Sequence, residues 1–104
     1  MPGGMKLALS AFAVLVLGLD TSGMANPTIK VSPTNPRQGE EITITYSGKP
    51  GTILELDWDP PADPREVEVG PDGTAKVKVP HDATSLIVSD PVGGADDAAV
   101  IIAP

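Results

Sequence analysis

The sequence predicts an all-β chain: a seven-stranded antiparallel sandwich behind an amino-terminal signal peptide. Three observations carry this. After residue 25 the apolar residues recur with a period of two, and no stretch shows the 3.6-residue period of a helix. Short runs rich in β-branched residues alternate with clusters of Gly, Pro, Asn and Asp at regular spacing. The chain's one Trp and one Tyr both fall on the apolar side of such runs, in the stretch from Glu40 to Pro60. They are the largest side chains available to fill a core there.

Residues 1–25 stand apart. Lys6 precedes an apolar run from Leu7 to Leu19, followed by Asp20-Thr21-Ser22-Gly23-Met24-Ala25. A basic residue, an apolar run and a small-x-small ending are the order of a secretory signal peptide, with cleavage after Ala25. The run is short for a membrane span, which needs roughly 20 apolar residues; retention as an uncleaved anchor is the alternative. The domain is then 26–104.

Each strand has its own signature. The first is Thr28–Ser32, with Ile29 and Val31 on one face. Pro33, Asn35, Pro36 and Gly39 punctuate the loop after it. In the second, Ile42, Ile44 and Tyr46 alternate with Thr43, Thr45 and Ser47. In the third, Leu54, Leu56 and Trp58 alternate with Glu55, Asp57 and Asp59. Pro60, Pro61 and Pro64 make a stiff connection, since proline fixes its own backbone angle and offers no amide to a ladder. The fourth strand is Glu66–Val69. Gly70-Pro71-Asp72-Gly73 suits a type I turn closing a hairpin. The fifth is Thr74–Val79, ended by Pro80. The sixth is Ser85–Ser89, followed by a turn at Pro91, Gly93 and Gly94. The seventh is Ala98–Ala103.

The connections sort the strands into sheets. Loops after strands one, four and six suit neighbours in one sheet. The proline-rich segment after strand three and the segment Pro80–Thr84 suit crossings between sheets. Strands one, two, five and four are therefore expected in one sheet and three, six and seven in the other. Ser47–Gly51 could instead close a simple hairpin and set strands two and three side by side.

From Asn26 onward the chain resembles the small immunoglobulin-like (E-set, TIG-like) modules of bacterial exported and surface proteins. The residues that carry the resemblance are Pro27-Thr28-Ile29-Lys30-Val31-Ser32-Pro33 and Gly39-Glu40-Glu41-Ile42-Thr43-Ile44, with Trp58 on the third strand. Neither inter-sheet cysteine of antibody domains is present, and strand six has no tyrosine for a corner hydrogen bond. The resemblance implies an immunoglobulin-like fold and a role in adhesion, spacing or binding. It transfers no functional residue.

Composition narrows the function classes. Lys6 and Asp20 cancel, so the net charge of −7 belongs to residues 26–104. An acidic domain argues against a nucleic-acid surface and against anionic lipid. No cysteine is present, so no disulfide restrains this small domain. His81 is the one histidine, which leaves no histidine cluster for zinc. His81, Asp82 and Ser85 are close in sequence, but no nucleophile elbow or phosphate-binding loop accompanies them. No catalytic, cofactor or metal residue is therefore assigned. Asp57, Asp59 and Asp63, and separately Asp90, Asp96 and Asp97, are oxygen ligands of the kind calcium takes, and read as a solvated acidic rim. Tyr46 and Trp58, if exposed, would offer a sugar-stacking platform; parity with Leu54 and Leu56 turns Trp58 inward instead.

The expected function is that of a non-enzymatic module, secreted, periplasmic or at the cell envelope, acting through protein contacts. The partner would be an envelope or extracellular protein, or a second copy in weak self-association, with no nucleic acid and no membrane insertion once the signal is removed. A calcium- or carbohydrate-binding accessory module is the alternative. Parity also names a contact patch. With Leu54, Leu86 and Val100 inward, Ile53, Ile87 and Ile101 face out from three strands of one sheet. In the other register of strand seven, Ala99, Ile101 and Ala103 turn inward and remove one of the three.

Overall fold

The computed structural model describes residues 26–104; the signal-peptide assignment lies outside the described residues. These form seven strands: β1 Ile29–Ser32, β2 Glu41–Tyr46, β3 Ile53–Asp59, β4 Glu66–Glu68, β5 Thr74–Lys78, β6 Ser85–Ser89 and β7 Ala98–Ile101. Among the described residues there is no helix. One antiparallel sheet has the order β1-β2-β5 and the other β4-β3-β6-β7.

Alternation dictates which faces meet. Along β3 burial switches at every residue, so Leu54, Leu56 and Trp58 point inward. Ile42, Ile44 and Tyr46 do the same from β2, and Leu86 and Val88 from β6. Together with Val69, Val77, Val79, Val100 and Ile102 they make one cluster between the sheets. Burying each such aliphatic side chain contributes about 1.5–3 kcal/mol. Val100 and Ile102 are inward and Ile101 is 69% exposed, so the seventh strand takes the first of its two registers.

The division of strands differs from the expectation at one place. The fourth strand pairs with β3, not with β5. Both neighbouring connections therefore exchange roles. The proline-rich segment does not cross; it doubles back within the sheet, where the Leu56 amide donates to the Arg65 carbonyl at 2.9 Å. The Gly70–Gly73 turn forms, with the Gly73 amide on the Gly70 carbonyl at 3.0 Å, but it carries the chain from one sheet to the other. Beyond β4, the Val69 amide donates to the Thr52 carbonyl and the Gly51 amide to the Val69 carbonyl. This ladder holds the fourth strand to the start of β3. β2 and β3 lie in different sheets, so Ser47–Gly51 closes no hairpin.

One loop joins the sheets at their far edge. Arg37 bridges to Ala103 in parallel. The Gln38 amide donates to the Ala103 carbonyl, and the Ala103 amide to the Pro36 carbonyl. The Asn35 side-chain amide donates to the Ile101 carbonyl at 2.9 Å. Residues 35–38 thus form a strap along the last residues of the chain.

Candidate functional site

The outer face of the four-stranded sheet follows from the ladder. Residues paired across strands share a face, so the register arranges this one in rows. Ile53 lies opposite Glu68. Glu66, Glu55 and Ser89 form the next row. Asp57, Ile87 and Ala99 form the third, and Asp59, Ser85 and Ile101 the last. A shallow groove of about 380 Å3 opens here, lined by Glu55, Leu56, Asp57, Arg65, Glu66 and Ser89.

The three isoleucines named from the sequence all lie on this face, exposed by 41% at Ile53, 40% at Ile87 and 69% at Ile101. The register brings Ile87 and Ile101 together as diagonal neighbours, with Ala99 between them. It does not bring Ile53 to them, because the row of Glu55 and Ser89 intervenes. The apolar part of the face is thus Ile87, Ala99 and Ile101, and the carboxylates crowd the β3–β4 side. Glu55 and Glu66 are direct cross-strand partners, and like charges in that position are destabilising.

The outer face of the three-stranded sheet has the opposite character. Lys30 shares a row with Thr45 and Thr74, Ser32 with Thr43 and Lys76, and Glu41 with Lys78. Among the described residues the one salt bridge joins Arg65 to Asp63 at 3.7 Å, with both side chains exposed. Such a pair contributes little, and it leaves the carboxylates of one face and the lysines of the other without ion-pair partners.

Among the described residues Asp90 is the one buried charged residue. It follows β6 and organises the turn into β7. Its Oδ1 accepts from the amides of Val92 and Gly93, and its Oδ2 from the amide of Ala95. The Tyr46 hydroxyl, arriving from the other sheet, donates to Oδ2 at 2.5 Å. Burial pushes the Asp90 carboxyl up, but the hydrogen bonds from Tyr46 and then from the three amides outweigh it and hold it below its ordinary value. Burial, then the bond to Asp90 and its charge, raise the Tyr46 phenol. Gly48 and Gly93 flank that phenol: a Cβ at Gly48 would strike the ring, and one at Gly93 would strike both the hydroxyl and the Asp90 carboxylate.

The other sequence candidates are placed as follows. Trp58 is 2% and Tyr46 3% exposed, so neither presents a face to a sugar ring. The Trp58 indole donates to the Pro64 carbonyl at 2.6 Å. Asp57 and Asp59 point outward from β3, Asp63 faces Arg65, and Asp96 and Asp97 are exposed beyond the other end of the sheet. Asp90 is taken up by its hydrogen bonds. Among the described residues no group of three His, Cys, Asp or Glu is placed to hold a metal ion. His81 and Asp82 are exposed in the β5–β6 connection, while Ser85 lies on the outer face of β6.

Sequence reasoning turned Glu55, Asp57 and Asp59 outward but missed the pairing of Glu55 with Glu66, which needed the correct partner for β4. It also missed the Tyr46–Asp90 bond. Only the turn half of the Asp90 arrangement had a usable signal: Asp-Pro followed by Gly-Gly after a strand suits an Asp that caps its own turn.

Comparison of the chain with family models, with curated proteins and with solved structures finds no match in any of the three.

Proposed function

We propose that the chain is a secreted, non-catalytic, immunoglobulin-like module that acts through protein contacts at the cell envelope or outside the cell. Its contact surface is the outer face of the four-stranded sheet. The exposure of Ile87 and Ile101 beside Ala99 carries this reading, because contiguous exposed apolar surface marks interaction sites. The immunoglobulin-like assignment is supported by two antiparallel sheets packed over a core Trp on the third strand. A fourth strand at the edge of the sheet of strands three, six and seven is a variation such sandwiches accept.

The test is Ile87→Lys. Ile87 is exposed, so stability should stay within about 0.5 kcal/mol of the parent, read by urea denaturation. Partner capture or self-association should be lost. Retention of both in the folded variant overturns the reading. Export is tested separately by intact mass, which should begin at Asn26.

A further inference from the structure

We propose that the module docks on a second copy of itself front to back. The outer face of the four-stranded sheet of one copy meets the outer face of the three-stranded sheet of the next. This rests on the reading of the four-stranded face as a contact surface and names its occupant.

The two faces are complementary in charge. Glu55, Asp57, Asp59, Glu66 and Glu68 lie on one, and Lys30, Lys76 and Lys78 on the other. Within one copy none of these carboxylates forms a salt bridge with these lysines. The Glu55–Glu66 pair is a standing repulsion that a cation would relieve. Arg65 also lines the groove between Glu55, Asp57 and Glu66, but its one salt bridge among the described residues is to Asp63. Three carboxylates thus face one cation, and a lysine ammonium can still enter, its stem along apolar surface and its head polar. Lys78 faces Glu41 on its own sheet and Lys76 lies within reach of the Asp72 charge in the preceding turn, so Lys30 is the freest cation and Lys76 the next.

Shape agrees with charge. Between the lysines the three-stranded face carries Ser32, Thr43, Thr45 and Thr74. These are short side chains that keep the face low between the lysines, with threonine methyls to meet Ile87 and Ile101. The symmetric alternative, two four-stranded faces together, would set carboxylates against carboxylates, and like-charge juxtaposition is costly at an interface.

A front-to-back contact is heterologous and need not close, so copies can add in rows. The net charge of −7 opposes this at long range. At physiological ionic strength repulsion is screened beyond about 8 Å, while pairs in direct contact persist. Association should therefore peak at intermediate salt, weakening both at very low and at very high ionic strength.

The experiment mixes isotopically light and heavy copies of the full chain and couples contacting amines and carboxylates with a zero-length carbodiimide. Mass spectrometry then locates the products. Light–heavy amides joining Lys30 or Lys76 to Glu55, Asp57 or Glu66 are expected. Two double variants fix the direction. Lys30→Glu with Lys76→Glu, and Glu55→Lys with Glu66→Lys, should each lose these inter-copy products alone. Mixed, they should restore them between the native carboxylates of the first variant and the native lysines of the second, and the two charge-reversed faces, complementary in their turn, should couple as well. If those carboxylates couple instead to lysines of another protein in an envelope extract, the contact surface stands and the second copy is overturned. If they couple to nothing outside their own chain, both readings fall. Should a double variant not fold, the light–heavy result on the unsubstituted chain decides.

Discussion

Trp58 and Tyr46 occupy opposite ends of the core. Trp58 faces Leu86 across the start of β6, whereas Tyr46 reaches Asp90 just past its end. Both bury a large ring and both must satisfy a polar tip. Trp58 gives its indole proton to a backbone carbonyl six residues on, so it ties β3 to its own proline-rich connection. Tyr46 gives its hydroxyl proton to a carboxylate on the other sheet, which three turn amides also hold. The first arrangement is local and carries no titratable group. The second is long-range, joins the two sheets and depends on ionisation. The Tyr46–Asp90 bond should therefore be sensitive to pH, whereas the Trp58–Pro64 bond contains no partner that could make it so.

The largest expected effect is at the local end. Trp58→Ala should cost about 3–5 kcal/mol, measured by the urea midpoint; an unchanged midpoint would mean that the side chain is not core. Asp90→Ala comes next, at about 3 kcal/mol, because it strands a buried phenol and turn amides together. It should also lower hydrogen-exchange protection at Gly93 and Ala95 more than at Trp58. Equal losses at both ends would break the distinction drawn here. The smallest is Tyr46→Phe, at about 1 kcal/mol near neutrality, and it sharpens the comparison through pH. Asp90 is depressed in the folded state, so its contribution is complete above the unfolded value of about 4 and is lost as pH falls through the lower folded value. Tyr46 is raised, so its contribution is complete below about 10 and is lost as pH rises through the higher folded value. Tyr46→Phe should remove the alkaline loss and blunt the acid one. A Trp58→Phe protein should keep both.

The strands and their inward faces were legible because each long strand repeats its alternation two or three times, as in Leu54, Leu56 and Trp58. The fourth strand was also read as a strand, but the sheet it joins was not legible, for a physical reason. This strand is three residues long and offers one inward side chain, Val67, so it has no pattern with which to choose a sheet. Its choice is made by backbone bonds, among them Leu56 to Arg65 and Val69 to Thr52, which leave no mark on side-chain identity. The Gly70–Gly73 turn was read correctly as a turn, but a turn fixes local direction and not the sheet that receives it. The site inherited this limit. The outward parity of Ile53, Ile87 and Ile101 was readable strand by strand; their separation by Glu55 and Ser89 required the register between strands. Asp90 illustrates a different limit, since its partner Tyr46 is 44 residues away and no local spacing points to it.

The strap of residues 35–38 has a mechanical consequence. β1 begins at the Tyr46 end of the sandwich, and the chain leaves at the other end, past Ile101. Tension applied between these two points pulls β1 and the last strand in opposite directions along their axes. The strap lies parallel to Ala103, so its amide–carbonyl bonds at Gln38 and Pro36 are loaded side by side in shear and must rupture together. A module built this way resists stretching along its length better than the same bonds would if opened one after another.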